Sequence, residues 1–169
     1  MEQFTVNDFG HYRVTVTGNG LSGMQQLYAV GMEKTQIIAR QVLCNPDYNQ
    51  QVLPKGEGST LVIIPTRDFP GCTQEAIDEI VRDQWGYKKP IAGAILSLCE
   101  SGETSALMKK MSVQYIAGAS IPIADSASLS NVLGLSFPSE TSETVLLDAF
   151  YTTPHRKWDN KGALVYAIP

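Results

Sequence analysis

Charge is scarce in this chain. Asp, Glu, Lys and Arg supply 18% of its 169 residues, against about 25% in ordinary globular proteins, so Ser, Thr, Gln and Asn must wet much of the surface. A net charge of -4 provides no overall attraction to nucleic acid or to anionic membranes. Cysteine is equally sparse: Cys44, Cys72 and Cys99 are odd in number and include no close pair, which argues against a disulfide framework and against a four-ligand zinc site. Buried thiols in a reducing compartment are expected instead. No window approaches the roughly 18 consecutive apolar residues of a membrane span, and no basic segment followed by an apolar run opens the sequence. The expectation is a soluble, cytoplasmic protein with no membrane partner. His11 and His155 lie far apart, and spacing assembles no Ser-His-Asp or Cys-His arrangement from them.

What is present is apolar. Hydrophobic residues make up 43% of the chain, and at this length roughly 70% of the unfolded surface can be buried without staples, so residues 1–169 are read as one globular domain. The organising stretch runs over residues 60–99. Leu61, Val62, Ile63 and Ile64 form a branched apolar run that stops at Pro65, the mark of a buried strand feeding a turn-rich segment. Thr73 is a good N-cap. Glu75, Asp78 and Glu79 load the early turns of the helix that follows, Ile77, Ile80 and Val81 share a face, and Gly86 ends it. A second apolar helix begins near Pro90 and carries Ile91, Ala94, Ile95, Leu98 and Cys99.

On either side the pattern is looser. Tyr12, Val14 and Val16 alternate with Arg13, Thr15 and Thr17, which predicts a strand with one wet face. Residues 21–31 read as a short helix with Met24, Leu27 and Tyr28 inward, residues 37–43 as a second strand, and residues 45–58 as an irregular loop. Residues 104–111 suggest a further short helix. Four strand-like runs follow, at 113–123, 129–137, 144–151 and 163–168, separated by Asp, Ser, Pro, Asn and Gly clusters. Helices mainly in the first two thirds and strands late predict an α+β fold with a largely antiparallel sheet completed by C-terminal strands.

Four places carry candidate chemistry. Gly18-x-Gly20-x-x-Gly23 follows a strand and opens a helix, the spacing by which a dinucleotide loop brings pyrophosphate to the backbone. The alternating first strand and the absence of an acidic residue closing the next one favour an ordinary glycine turn. Arg13, Ser126, Ser128 and Glu140 or Glu143 stand in the order of an ADP-ribosyltransferase-like site. Arg67 and Asp68 follow the buried strand, where open sheets often bind ligands. The segment Pro154-His155-Arg156-Lys157-Trp158-Asp159-Asn160-Lys161-Gly162 has the densest mixture of functional side chains and reads as a hairpin joining the last two strands. There Trp158 could stack on a partner while Arg156 and Lys157 hold an anion, or it could equally fold back onto the core with Asp159-Asn160-Lys161-Gly162 as a polar turn. Asp159 and Asn160 are too few for calcium, which takes about six to eight oxygens. No cluster of acid, base and nucleophile names a reaction. The reading is a non-enzymatic binding protein that uses His155, Arg156, Lys157, Trp158 and Asp159, with Arg67 and Asp68, as contact residues. It needs no cofactor, and a protein partner or self-association is favoured over nucleic acid. The alternative is a small nucleotide-using enzyme, either dinucleotide-binding with Gly18, Gly20 and Gly23 as its cofactor-binding residues or ADP-ribosyltransferase-like through Arg13 and Glu143.

The apolar strand at 61–64, the helix closing on Trp85-Gly86-Tyr87-Lys88-Lys89-Pro90, the Ala94-Ile95-Leu96 helix, Ile121-Pro122-Ile123, Leu147-Asp148-Ala149-Phe150-Tyr151 and Ala163-Leu164-Val165-Tyr166-Ala167 together cover roughly the last two thirds. In this order they resemble an uncharacterised family of hypothetical proteins from bacterial genomes. Its members often have a more aromatic central strand than residues 113–119. The resemblance implies an intact single fold and, through the family's scattered occurrence, an accessory role in phage or mobile-element biology. It transfers no catalytic residue, because the family carries no established activity.

Overall fold

The computed structural model describes residues 4–169. Eight strands form one mixed sheet: β1 (Thr5–Val6), β2 (Tyr12–Thr17), β3 (Gly58–Pro65), β4 (Tyr115–Gly118), β5 (Ile123–Ala124), β6 (Ser130–Ser136), β7 (Leu146–Tyr151) and β8 (Gly162–Ala167). The order across it is β1-β2-β3-β8-β4-β6-β5, with β7 on the far side of β6. Every pairing is antiparallel except that of β4 with β8. Five helices, α1 (Gly23–Val30), α2 (Ile37–Cys44), α3 (Gln74–Trp85), α4 (Ala92–Cys99) and α5 (Thr104–Met111), pack on this sheet. The fold is α+β.

The apolar run at 61–64 lies at the centre of β3 with every side chain inaccessible to solvent. One face, through Leu61 and Ile63 and their neighbours Val165 and Ile116, meets Ala94, Ile95 and Leu98 of α4 and Leu107, Met108 and Met111 of α5. The other, through Val62, Ile64, Leu164 and Tyr166, meets Ile77 and Val81 of α3. At roughly 25 cal/mol per Å² of apolar surface, such two-sided burial is the main stabilising contribution of the central strands. The wet face expected of β2 is real but local: Val14 and Val16 are buried while Arg13, Thr15 and Thr17 face solvent.

α3 matches its sequence signals closely. The Thr73 hydroxyl accepts from the Ala76 amide at 3.3 Å, and Gly86 closes the helix at φ 70°, ψ 17°, a left-handed conformation that glycine adopts without the Cβ penalty.

Several expectations fail for tertiary reasons. Residues 37–43 belong to α2, not to a strand: Ala39, Val42 and Leu43 are buried while Ile37 and Ile38 are exposed, a three-four spacing that outweighs β-branching. Only Leu27 of the three apolar residues assigned inward in α1 is buried; Met24 and Tyr28 are exposed. Ser22 fixes the start of α1 with a capping box, and a Cβ on Gly23 would stand 1.8 Å from the Leu43 carbonyl oxygen. This close approach turns Gly23, Gln26 and Leu27 inward and Met24 and Tyr28 out. The 45–58 connection is not a surface loop throughout, since Tyr48 and Leu53 are buried and Gln51 donates to the Ile121 carbonyl at 2.9 Å. The run at 113–123 splits into β4 and the start of β5.

The most consequential correction concerns residues 154–162. β7 lies beside β6, whereas β8 lies between β3 and β4, so β4 and β6 separate the strands this segment joins. It is a crossover, not a hairpin. It passes over the α3 face of the sheet, where Trp158 lies against Tyr115 of β4 and Phe150 of β7, with ring centroids 5.9 and 6.2 Å away.

Candidate functional site

A cleft of about 500 Å³ opens where α3 and the crossover leave the sheet face uncovered. Its floor is Ala119 and Val132. Ser120 and Thr152, at the carboxyl ends of β4 and β7, form one side, and Glu75, Asp78 and Glu79 of α3 form the other. Because β7, β4 and β8 run in the same direction, this is the carboxyl end of three strands, the position at which open sheets gather ligands.

The wall is held by a polar network. Gln74 accepts from the Trp158 indole N–H at 2.6 Å and donates through Nε2 to Asp78 Oδ1 at 2.7 Å. The Tyr166 hydroxyl donates to the same Oδ1 at 2.7 Å. Lys89 Nζ lies 3.1 Å from Asp78 Oδ2. Burial, and then the neighbouring Asp78 carboxylate, push the Tyr166 phenol well above its ordinary range, so it remains a proton donor. Crossover, helix and central strand are thereby tied through one carboxylate. A buried tyrosine in an otherwise apolar strand requires a partner for its hydroxyl, and that requirement was the available sequence signal for Asp78. The spacing of Gln74 and Asp78 on one helical face was visible too. Ser120, Thr152 and the pairing of Lys89 had no local signal.

The expected contact residues divide between display and structure. The backbone of the crossover is pinned. The carbonyls of Pro154 and Arg156 accept from the Glu75 and Gln74 amides at 2.9 and 2.7 Å, the Asp159 carbonyl accepts from Thr66 at 2.6 Å, and the Asp159 carboxylate accepts from the Tyr115 hydroxyl at 3.0 Å. Burial and this Asp159 contact raise the Tyr115 phenol above its usual value. Trp158 is half-buried. Arg156 stacks over the Trp158 ring at 4.1 Å and donates to the Tyr151 carbonyl, so both are occupied within the protein. His155, Lys157 and Asp159 are exposed. Arg67 donates to the Met111 carbonyl at 2.8 Å. Asp68 is exposed, and its negative charge acts on His11. Neither Arg67 nor Asp68 lines the cleft.

The glycine loop serves packing. A Cβ on Gly18 would meet the Pro54 carbonyl oxygen at 2.3 Å. The amides of Gly18 and Gly20 donate to the Glu57 and Leu53 carbonyls, and those of Leu21, Ser22 and Gly23 to the side chains of Asn19, Gln25 and Asn49. Those N–H groups would have to be given up before they could hold a phosphate. The ADP-ribosyltransferase-like set is dispersed. Arg13 lies on β2, while Ser126 and Ser128 precede β6, four strand spacings away across the sheet, or roughly 19 Å at ~4.8 Å per strand. Glu143 pairs with Lys109.

Among the described residues no group of three or more His, Cys, Asp or Glu side chains could hold a metal ion, and no helix is long and apolar enough to cross a membrane. The architecture defines an α+β protein with a mixed sheet, helices on both faces and a cleft beside α3. No protein-family model matches the chain, and neither a curated protein nor a solved structure matches it. This is consistent with resemblance to a group that has no assigned activity, and no residue role is carried over from a relative.

Proposed function

We propose that the chain is a non-enzymatic binding protein that meets a protein partner through the exposed side chains of the 154–162 crossover and the adjoining rim of the α3 cleft. One observation carries this reading: a segment without regular structure is locked at the first turn of α3, at Thr66 and at Tyr115, yet presents His155, Lys157 and Asp159 to solvent. Ordering such a loop on binding costs little, because its conformation is already set. An accessory role in phage or mobile-element biology accords with the family resemblance and belongs to the same proposal. The test is lysine-directed cross-linking in cells that make the protein, with partners read by mass spectrometry. Cross-links from Lys157 or Lys161 to one partner are expected, and those from Lys161, whose amine the variant keeps, should be lost on charge reversal at Lys157 with the melting temperature unchanged. Cross-links that persist through that reversal, or that map only to other lysines, overturn it.

A further inference from the structure

Two hydroxyls in the cleft stand without a protein partner. Ser120 is 3% and Thr152 5% exposed; both line the cleft, and neither side chain has a hydrogen-bond partner among the described residues. The hydroxyl oxygens themselves still reach the cleft, since among the described residues Tyr48 alone has a buried side-chain oxygen without a partner, and they are open to an incoming donor. Opposite them, Glu75 and Glu79 stand on successive turns of α3, about 6 Å apart, and neither has an ion pair among the described residues. The two basic side chains of the cleft are already engaged: Lys89 with Asp78 and Arg82 with Asp83. An anion would find no free donor at the start of α3 either, since the Gln74 and Glu75 amides are spent on crossover carbonyls. Arg82 acts on Glu79 from a distance, yet the three carboxylates of the lining, Glu75, Asp78 and Glu79, outnumber its two cations. The floor of Ala119 and Val132 is apolar, suited to an aliphatic stem beneath a charged head.

We infer that this cleft receives an arginine side chain of the partner that docks on the crossover, with its guanidinium between Glu75 and Glu79 on one side and the Ser120 and Thr152 hydroxyl oxygens on the other. Arginine fits better than lysine because acceptors on two opposed walls call for several donors fixed in a plane. The inference rests on the interaction reading above and supplies its specificity.

The test uses the full chain, labelled for amide NMR, and the tripeptide acetyl-Gly-Arg-Gly-amide, with the lysine and citrulline tripeptides beside it. Citrulline keeps the shape and removes the charge. The expected result is saturable shifts at Ser120, Thr152 and the α3 amides with the arginine peptide, at least about tenfold weaker binding with citrulline, and a comparable loss in the Glu75→Gln/Glu79→Gln double variant. Both glutamates are exposed, so that variant should fold normally, which its amide spectrum will report. No saturation by about 10 mM, equal binding of citrulline, or full binding by the double variant overturns the arginine assignment. The two proposals fail separately. Absent peptide shifts with intact Lys157 cross-links remove the arginine site and leave the interaction surface, whereas peptide binding with cross-links only at other lysines keeps the cation site and removes the crossover.

Discussion

Single polar atoms decide much of the local energetics. The Tyr48 hydroxyl is buried with no hydrogen bond of normal geometry, Gln26 being a side chain that comes near it, and bears part of a desolvation cost of about 1–3 kcal/mol. Tyr48→Phe should therefore raise stability, by up to about 1 kcal/mol after the small loss of packing, read as a higher urea midpoint at unchanged slope; a lowered midpoint would show that the hydroxyl is satisfied. His11 is the opposite case. It is buried against Trp85 with ring centroids 4.4 Å apart and shares a 3.0 Å contact with the Tyr87 hydroxyl. Burial lowers its pKa below the ordinary 6.5, and the Asp68 charge offsets this only in part. The unfolded chain therefore takes up the proton first. The stability from neutral His11 is fully present above about pH 6.5 and is lost as the pH falls through the folded pKa. Unfolding free energies measured from about pH 7 to 5 should fall for the wild type and fall less for His11→Gln; parallel curves would remove His11 as the cause.

At the scale of elements, the segment expected to be a hairpin shows how one residue can belong to both structure and surface. Its charged neighbours left Trp158 open to contact or to core, and the core holds it: its ring packs on Tyr115 and Phe150 and its N–H is spent on Gln74. Trp158→Ala should destabilise the protein by about 2–3 kcal/mol, whereas Lys157→Ala, at an exposed position, should leave the thermal midpoint within error. Equal midpoints for the two would return Trp158 to the contact surface. α2 teaches the complementary lesson. Ile37, Ile38, Val42 and Leu43 suggested a strand by composition, but Ala39, Val42 and Leu43 share one helical face against the core. The short apolar run was compatible with both periods, and packing on β6 and β7 chose the helix.

For the whole molecule, the sheet makes the two ends of the chain interdependent. β2 and β8 flank β3, so N-terminal and C-terminal residues bury the same central strand. Two strands approach closely at β6, where a Cβ on Gly134 would stand 2.0 Å from the Ile116 carbonyl oxygen of β4. Gly134→Ala should cost about 3 kcal/mol or more, and far-ultraviolet circular dichroism and tryptophan fluorescence should report the loss at one coincident midpoint. Separated transitions would divide the sheet into independently unfolding parts.

Local sequence determined the elements whose partners are nearby or whose burial is complete: the β3 run, the Thr73 cap and Gly86 stop of α3, α4, α5 and the alternation of β2. In each, a periodicity of burial or a capping group is written within a dozen residues. Tertiary structure alone decided which strands are neighbours, and with that the crossover, the meeting of Trp158, Gln74, Asp78 and Tyr166, and the cleft that sets Ser120 and Thr152 opposite Glu75 and Glu79. Strand pairing joins residues far apart in the chain, and a strand's own residues record that a face is buried without recording what buries it.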